Sequence, residues 1–311
     1  MKDVYRKLCS DNDHIPLFQQ AWWLDATAGD HWSVALVEKG GKIQAAMPYM
    51  IKKRFGLTVI TQPPLTQYLG PWILPAQSKR AKQLSREKDL MQALVDQLPQ
   101  YHIYRQTWSP DYQNWMPFYW RGFAQTTRYS YRIENLSNLD EVWGGFQAGI
   151  RSDIRKAQKQ GVVVERSADL STFLSLNEMV FKRQGRAAPH PESLVKNIDE
   201  AAASRNQRAI FIAADEEGRS HAAVYLVWDQ HSAYYLMGGG DPELRNSGAT
   251  SLCLWEAIQF AATVTRSFDF EGSMIEPVER FFRAFGGEPV PFYSLSRAHN
   301  RWLNLAMSIR S

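Results

Sequence analysis

Two stretches of the chain resemble each other closely enough to decide its fold. Residues 35–60 read ALVEKGGKIQAAMPYMIKKRFGLTVI, and residues 212–237 read IAADEEGRSHAAVYLVWDQHSAYYLM. Aligned without gaps, each reads as a strand, a tight glycine turn, a second strand, a short turn and a third strand. A long internal similarity of this kind indicates a repeated structural unit. We therefore predict two related lobes.

The segments that follow the two stretches agree as well. Each is followed by a loop, a helix and one more strand; the helices are predicted over residues 78–98 and 249–263, and the strands over residues 101–107 and 267–271. We place the lobe boundary after residue 127, so that the lobes are residues 1–127 and 128–311. Meander strands followed by strand–helix–strand units predict an α/β fold, in which each lobe is a mixed twisted sheet flanked by helices.

The second lobe has the clearer pattern of elements. Its predicted helices also include residues 139–160, 170–184, 192–204, 276–285 and 298–309. Glycines at 161 and 286–287 mark the ends of two of them.

The amino-acid composition is typical of a packed globular protein and does not require a nucleic-acid partner. Of 311 residues, 44% are hydrophobic and 22% are charged, which excludes a disordered chain. The net charge of +4 suits a small anionic ligand and does not call for DNA. Cys9 and Cys253 are too few for a disulfide framework or a cysteine-based metal site. With no apolar leader and no run long enough to span a bilayer, we expect a cytoplasmic protein without integral membrane association.

The most informative segment joins the third strand of the second lobe to the next helix. It reads YYLMGGG over residues 234–240 and RNSGAT over residues 245–250. Backbone N–H groups at a helix N-terminus, with small residues that allow close approach, form an anion site. Arg245 adds a guanidinium fork for phosphate oxygens. The simpler alternative is a glycine-rich turn in which Ser247 or Thr250 only caps the helix.

This strand, the Arg-x-x-Gly-x-(small) loop and the helix together resemble the pyrophosphate-binding segment of GNAT acyltransferases. Residues 150–162, IRSDIRKAQKQGV, are similar to a helix end found in the FemAB-like subgroup, whose members carry two GNAT-like lobes. Residues 268–273, FDFEGS, and 281–287, FFRAFGG, are similar to the D-F-x-G-S…F-K-x-x-F-G ending of the same proteins.

The resemblance implies direct transfer of an acyl group from acyl-CoA, acetyl-CoA above all, to an amino or hydroxyl group of a small acceptor. The acceptor would be a cell-envelope or polysaccharide precursor, and no metal is implied. Donor contacts carry over to Met237, Gly238, Arg245, Asn246, Ser247, Gly248, Ala249 and Thr250. Two other interpretations stay open: a Fem-type peptidyltransferase that uses aminoacyl-tRNA, and a catalytically inactive binding module with the same fold.

Direct transfer needs a base for the acceptor and an acid for the thiolate leaving group. Asp269 and Glu271 alternate on a predicted strand and so share a face, with Glu271 nearer its carboxyl end. Either carboxylate can instead be solvated or paired with an arginine. His221 is a second candidate base, or else a half-buried strand histidine. Tyr234 or Tyr235 is the candidate acid, with Tyr235 taken as the site residue; near the point where many GNAT enzymes carry a tyrosine, this chain has Phe281 and Phe282 instead.

The candidate acceptor contacts lie farther apart in the sequence than the candidate donor contacts. In the first lobe, the stretch equivalent to the anion loop, residues 61–71, contains prolines that lack an N–H, so it is not expected to hold a pyrophosphate. Tyr68 and Gln62 are candidates to line an acceptor cleft, or else belong to a structural loop. Arg155 lies on a basic helix that presents either a platform for an anionic substrate or RNA, or a solvated face whose cations complement the helix dipole.

Overall fold

The structure, a computed structural model, describes residues 1–272 and 274–299. Its helices are α1 (Lys2–Ser10), α2 (Ala21–Ala28), α3 (Arg80–Asp96), α4 (Met116–Tyr119), α5 (Leu139–Gly145), α6 (Ala148–Lys159), α7 (Leu170–Lys182), α8 (Glu192–Ala203), α9 (Ala249–Ala261) and α10 (Glu276–Arg283). Its strands are β1 (Trp32–Lys39), β2 (Lys42–Arg54), β3 (Leu57–Thr61), β4 (Trp72–Ile73), β5 (Ile103–Thr107), β6 (Ala124–Ile133), β7 (Val163–Ser167), β8 (Arg208–Ala214), β9 (Ser220–Trp228), β10 (Ser232–Gly240), β11 (Ser267–Asp269) and β12 (Glu288–Ala298).

The internal repeat is present as two equivalent meanders. In one, β1, β2 and β3 pair antiparallel in succession; in the other, β8, β9 and β10 do the same. The helix after each meander leads to a strand that is parallel to the meander's third strand, so β5 pairs with β3 and β11 with β10. The predicted fold class, mixed sheets flanked by helices in a tandem arrangement, is confirmed.

The chain forms two compact units that are not simply consecutive. The first comprises Met1–Arg128 together with the described residues 291–299, and the second Tyr129–Val290. In the first unit the strand order is β1-β2-β3-β5-β12, with β4 beside β2. Residues Ser294–Ala298 of β12 pair antiparallel with β5, and Leu295 is fully buried in that unit's core. The expected second lobe of residues 128–311 included this strand; the backbone ladder joins it to the first unit instead.

The second unit contains the segments singled out in the sequence. Its strand order is β6-β11-β10-β9-β8-β7. On one face, α6 and α9 pack over apolar side chains such as Phe211, Val224 and Leu226. On the other face α7 covers β9 and β10, where the rings of Phe173 and Tyr225 lie 5.4 Å apart.

Four predicted elements differ from the structure. The helix expected over residues 139–160 is two helices, because Phe146 and Gln147 are extended after two glycines. Arg151 donates to the carbonyls of Gly144 and Phe146 at this break, where the end of α5 leaves acceptors. β11 ends at Asp269 rather than 271, and β10 continues through its glycines to Gly240. The helix predicted over residues 298–309 falls almost entirely outside the described residues, with Ala298 in β12.

None of the helices in the described ranges combines the length and apolar character of a membrane span.

Candidate active site

Two parallel strands of the second unit separate at their carboxyl ends. β10 and β11 are paired from Ser232–Ser267 to Tyr234–Asp269; β11 then ends, while β10 runs on to Gly240. On its other side β10 stays paired with β9 over its whole length, with a bulge between Tyr235 and Met237. Beyond Tyr234, the β11 side of β10 therefore faces no strand in the described part of the chain. Such a strand edge can hydrogen-bond an extended ligand.

Several glycines at the end of β10 are required by close packing. Asn177 of α7 donates from Nδ2 to the carbonyl of Gly238 at 2.6 Å. A Cβ on Gly239 would lie 2.6 Å from the backbone nitrogen of Asn177. Sequence reasoning missed Asn177; the run of three glycines was the available signal that another element approaches β10 here.

The loop after β10 presents unused N–H groups at the start of α9. Residues Arg245–Ser247 form a 3-10 turn, and Gly248 follows with φ of +82°. Ser247 Oγ accepts from the N–H of Ala249 at 3.3 Å, as a capping residue does. The N–H groups of Asn246, Gly248 and Thr250 have no partner among the residues described. Three unpaired donors beside a helix N-terminus are suited to a phosphate or diphosphate.

The basic helix α6 supports this loop directly. A Cβ on Gly248 would lie 2.2 Å from the carbonyl oxygen of Asp153, so only glycine fits between the loop and α6. Lys156 Nζ donates to the carbonyl of Asn246. Arg245 is exposed and forms no ion pair with any described side chain. Two segments that the sequence analysis treated separately are therefore one structural site, and Asp153 and Lys156 are its unforeseen members.

His221 lies beneath the same loop. Its Nδ1 is 2.9 Å from Ser247 Oγ, and its Nε2 is 3.0 Å from Asp215 Oδ2. The hydrogen bonds from His221 and then from Arg219 hold the pKa of the Asp215 carboxyl well below its usual range. This chain of contacts orients Ser247 and so shapes the loop.

Two carboxylates near the end of β11, Asp269 and Glu271, have different surroundings. Asp269 is fully buried and accepts hydrogen bonds from Ser130 Oγ, from Arg132 Nη2 at 3.1 Å and from the N–H of Glu271 at 2.8 Å. Glu271 lies past the end of β11 with φ of +56°, an uncommon conformation for a residue with a side chain. Because the strand ends at Asp269, the expected sharing of a strand face is not seen. Asp269 instead holds the turn on which Glu271 sits.

Burial changes the acid–base character of Glu271 and Tyr235. Desolvation, and secondarily the negative charge of Asp269, raises the pKa of Glu271 well above its usual value. Desolvation likewise raises the pKa of the Tyr235 phenol, which therefore stays protonated. The Tyr235 ring packs edge-on against Phe282 at 5.6 Å, and its hydroxyl occupies the space that a side chain at Gly238 would need.

The remaining predicted site residues make contacts within their own units. In the first unit, Gln62 accepts from the N–H and the hydroxyl of Thr107 and donates to the carbonyl of Thr66 at 2.6 Å. Tyr68 is 4% exposed and packs against Phe18 and Phe292. In the second unit, the Arg155 guanidinium lies 5.8 Å from the centre of the Trp143 ring. Within residues 1–272 and 274–299, no three His, Cys, Asp or Glu side chains are grouped as metal ligands.

A family of acetyltransferases matches the region that contains this site. Residues 145–281 match the family described as "Acetyltransferase (GNAT) domain". No curated protein matches the chain.

Solved structures with the same fold extend over both units. FemX is 15% identical, with 94% of this chain and 95% of that chain covered and a TM-score of 0.67. L-PGS from Bacillus licheniformis is 12% identical, with 90% and 87% covered and a TM-score of 0.52. A tandem GNAT protein from the clavulanic acid biosynthesis pathway is 12% identical, with 87% and 84% covered and a TM-score of 0.51. At these identities the likeness concerns the fold.

Proposed function

We propose that this chain, a FemAB-like protein of the GNAT superfamily, transfers an acyl group from acyl-CoA to an amino or hydroxyl group of a small acceptor. The observation that carries the proposal is the group of unpaired N–H donors at residues 246–250, placed directly after the open edge of β10. The donors and Arg245 suit the diphosphate of CoA. The open edge suits the pantetheine chain, which is extended and carries amide groups.

The chemistry proceeds in a ternary complex. Glu271, whose raised pKa makes it a stronger base than an exposed carboxylate, accepts the proton of the acceptor amine or hydroxyl as that group attacks the thioester carbonyl. The carbon–sulfur bond then breaks; the Tyr235 phenol, which burial keeps protonated, donates a hydrogen bond to the leaving sulfur, and the proton held by Glu271 passes to the CoA thiolate. Asp269 is a positioning residue, because it accepts from the Glu271 N–H and is itself held by Arg132. Acetyl-CoA is the proposed donor and a cell-envelope or polysaccharide precursor the proposed acceptor, which places the reaction in the cytoplasm.

One observation favours a second donor. Arg155 and Lys159 lie exposed on α6, which packs against the loop of residues 245–248, here called the donor loop, and Arg245 is exposed in that loop. Several cations of this kind can neutralise phosphates of an RNA. An aminoacyl-tRNA donor, as in Fem-type peptidyltransferases, is therefore the alternative within the same reaction class.

Calorimetric titration of CoA and acetyl-CoA into the purified chain tests the donor site. We expect saturable binding that Arg245→Ala weakens about 10- to 100-fold, since hydrogen bonds to charged groups contribute roughly 1.5–3 kcal/mol. Arg186→Ala, which removes an exposed arginine from the same unit, is the matched control and leaves the affinity unchanged. Absence of CoA binding in the unaltered protein rejects a CoA donor. Binding without thiol release in the presence of amine and hydroxyl acceptors supports an inactive module.

A further inference from the structure

The hairpin that joins β2 to β3 has an unusual tip. It reads KKRFG over residues 52–56, and Arg54 pairs with Leu57, so Phe55 and Gly56 alone make the turn. Both have positive φ, +50° and +74°. Two-residue turns of this kind favour Asn-Gly, because a residue with a large side chain is strained at the first position. Phe55 is nevertheless there and is 90% exposed; its ring contacts the Arg54 guanidinium, 5.3 Å from the ring centre, and backbone preference does not account for its presence.

A cationic groove begins beside this tip. Its volume is about 900 Å³, and it lies on one face of the first unit's sheet. Met50, Lys52 and Arg54 occupy every second position of β2 and therefore share one face of the sheet. On β3, the partners of Lys52 and Arg54 are Val59 and Leu57, which lie on the same face. Arg105 on β5 and the ring of His31 also line the groove, and none of the described residues that line it is acidic. Three of these basic side chains form no ion pair with any described residue: Lys52, Lys53 and Arg105.

We infer that this hairpin docks onto the surface of an anionic lipid bilayer. Phe55 inserts among the headgroups, where aromatic side chains are favourable, and Lys52, Arg54 and Arg105 contact lipid phosphates. Each basic side chain near such a surface adds attraction to it. An RNA is also anionic, but single-stranded RNA is bound through successive aromatic rings, whereas here the single Phe55 ring is followed along the groove by the aliphatic side chains of Leu57, Val59 and Ile103. The contact involves only the first unit and is independent of the donor chemistry.

Sedimentation of the full chain with lipid vesicles tests the inference. The vesicles are phosphatidylcholine alone or phosphatidylcholine with 30% phosphatidylglycerol, in low salt. We expect partition onto the anionic vesicles only. Lys52→Gln with Arg54→Gln reduces the partition coefficient about 30-fold, which corresponds to roughly 1 kcal/mol per removed charge. Lys79→Gln with Lys82→Gln, which removes two exposed charges elsewhere in the same unit, changes it less than about threefold.

The variant Phe55→Asn tests the contribution of the ring to membrane binding without destabilising the hairpin. Asparagine suits the positive φ at this position, so the variant melts at the same or a higher temperature. We expect its partition onto anionic vesicles to fall about fivefold, since the ring no longer inserts. Equal partition onto neutral and anionic vesicles overturns the inference, as does equal partition of the Lys52/Arg54 and Lys79/Lys82 variants. Binding of bulk tRNA, lost in the Lys52/Arg54 variant, with no vesicle binding assigns the hairpin to RNA and also overturns it.

Discussion

At Glu271, burial and the charge of Asp269 act in the same direction, and both disfavour the carboxylate. The pKa of this group is higher in the folded chain than the ordinary value of about 4.3 expected when it is unfolded. Its contribution to stability is thus fully present below about pH 4 and is lost as the pH rises through the folded-state value. Glu271→Gln should therefore gain stability relative to the unaltered chain on going from pH 5 to pH 8. Urea unfolding at both pH values measures this.

The same substitution tests the catalytic role. If Glu271 is the base, Glu271→Gln lowers kcat by about 10²-fold or more while the affinity for CoA is unchanged. The rate of the unaltered enzyme then rises with pH through the raised pKa of Glu271, because the base must lose its proton. Glu165→Gln, at an exposed carboxylate on β7, serves as control and alters neither quantity. A Glu271→Gln variant with full activity rejects the assignment of the base.

Gly248 shows how a single residue joins α6 to the donor loop. Alanine at this position is unfavourable for two reasons. The backbone φ is +82°, and the alanine Cβ would lie 2.2 Å from the carbonyl oxygen of Asp153. Gly218→Ala is the matched control, because Gly218 has φ of +77° and open space around its Cα. We expect Gly218→Ala to cost about 1 kcal/mol of unfolding free energy and Gly248→Ala at least about 2 kcal/mol more. Only Gly248→Ala should also weaken CoA binding; equal losses in the two variants contradict the proposed tight contact.

Among the elements, the loop between β3 and β4 depends on Gln62. Its side chain joins the Thr66 carbonyl to both donors of Thr107, so removing it leaves partly buried groups unpaired. We expect Gln62→Ala to lower the unfolding free energy by about 1–3 kcal/mol, measured by urea denaturation. If Gln62 acts only in this way, KM for the acceptor is unchanged. A raised KM with normal stability would restore Gln62 as an acceptor contact.

The sequence predicted elements better than it predicted where they end. Periodicity and glycine turns were enough for both meanders, for α3 and for α9, because each of these patterns is local. Local patterning alone does not show where β10 separates from β11, because that depends on which strand edge lacks a neighbour. The joined site of α6 and the donor loop was hidden for the same reason: Lys156 and Asn246 are 90 residues apart, and only tertiary packing brings them into contact.

For the molecule as a whole, the internal repeat indicates two lobes in succession, yet the first unit is closed by a strand from beyond the second. The local sequence of β12 carries no information about which strand it pairs with. The pairing of Ser294–Ala298 with β5 joins residues separated by most of the chain. Contacts of such long sequence separation carry a large loop-closure cost and slow folding. We therefore expect the second unit to gain protection from hydrogen exchange before β5 does during refolding.

The net charge of the protein is only +4, so the salt dependence of binding can distinguish the two proposed donors. CoA engages the loop through one diphosphate, so its affinity should fall only about threefold to tenfold between 50 and 200 mM salt. An RNA held by about four cations releases about as many counterions, and its affinity should fall roughly 100-fold over the same range. Titration of acetyl-CoA and of charged tRNA at both salt concentrations measures the two slopes. Arg155→Gln with Lys159→Gln should reduce only the tRNA slope, because those side chains are exposed on α6. A shallow tRNA slope that this variant leaves unchanged excludes tRNA as the donor.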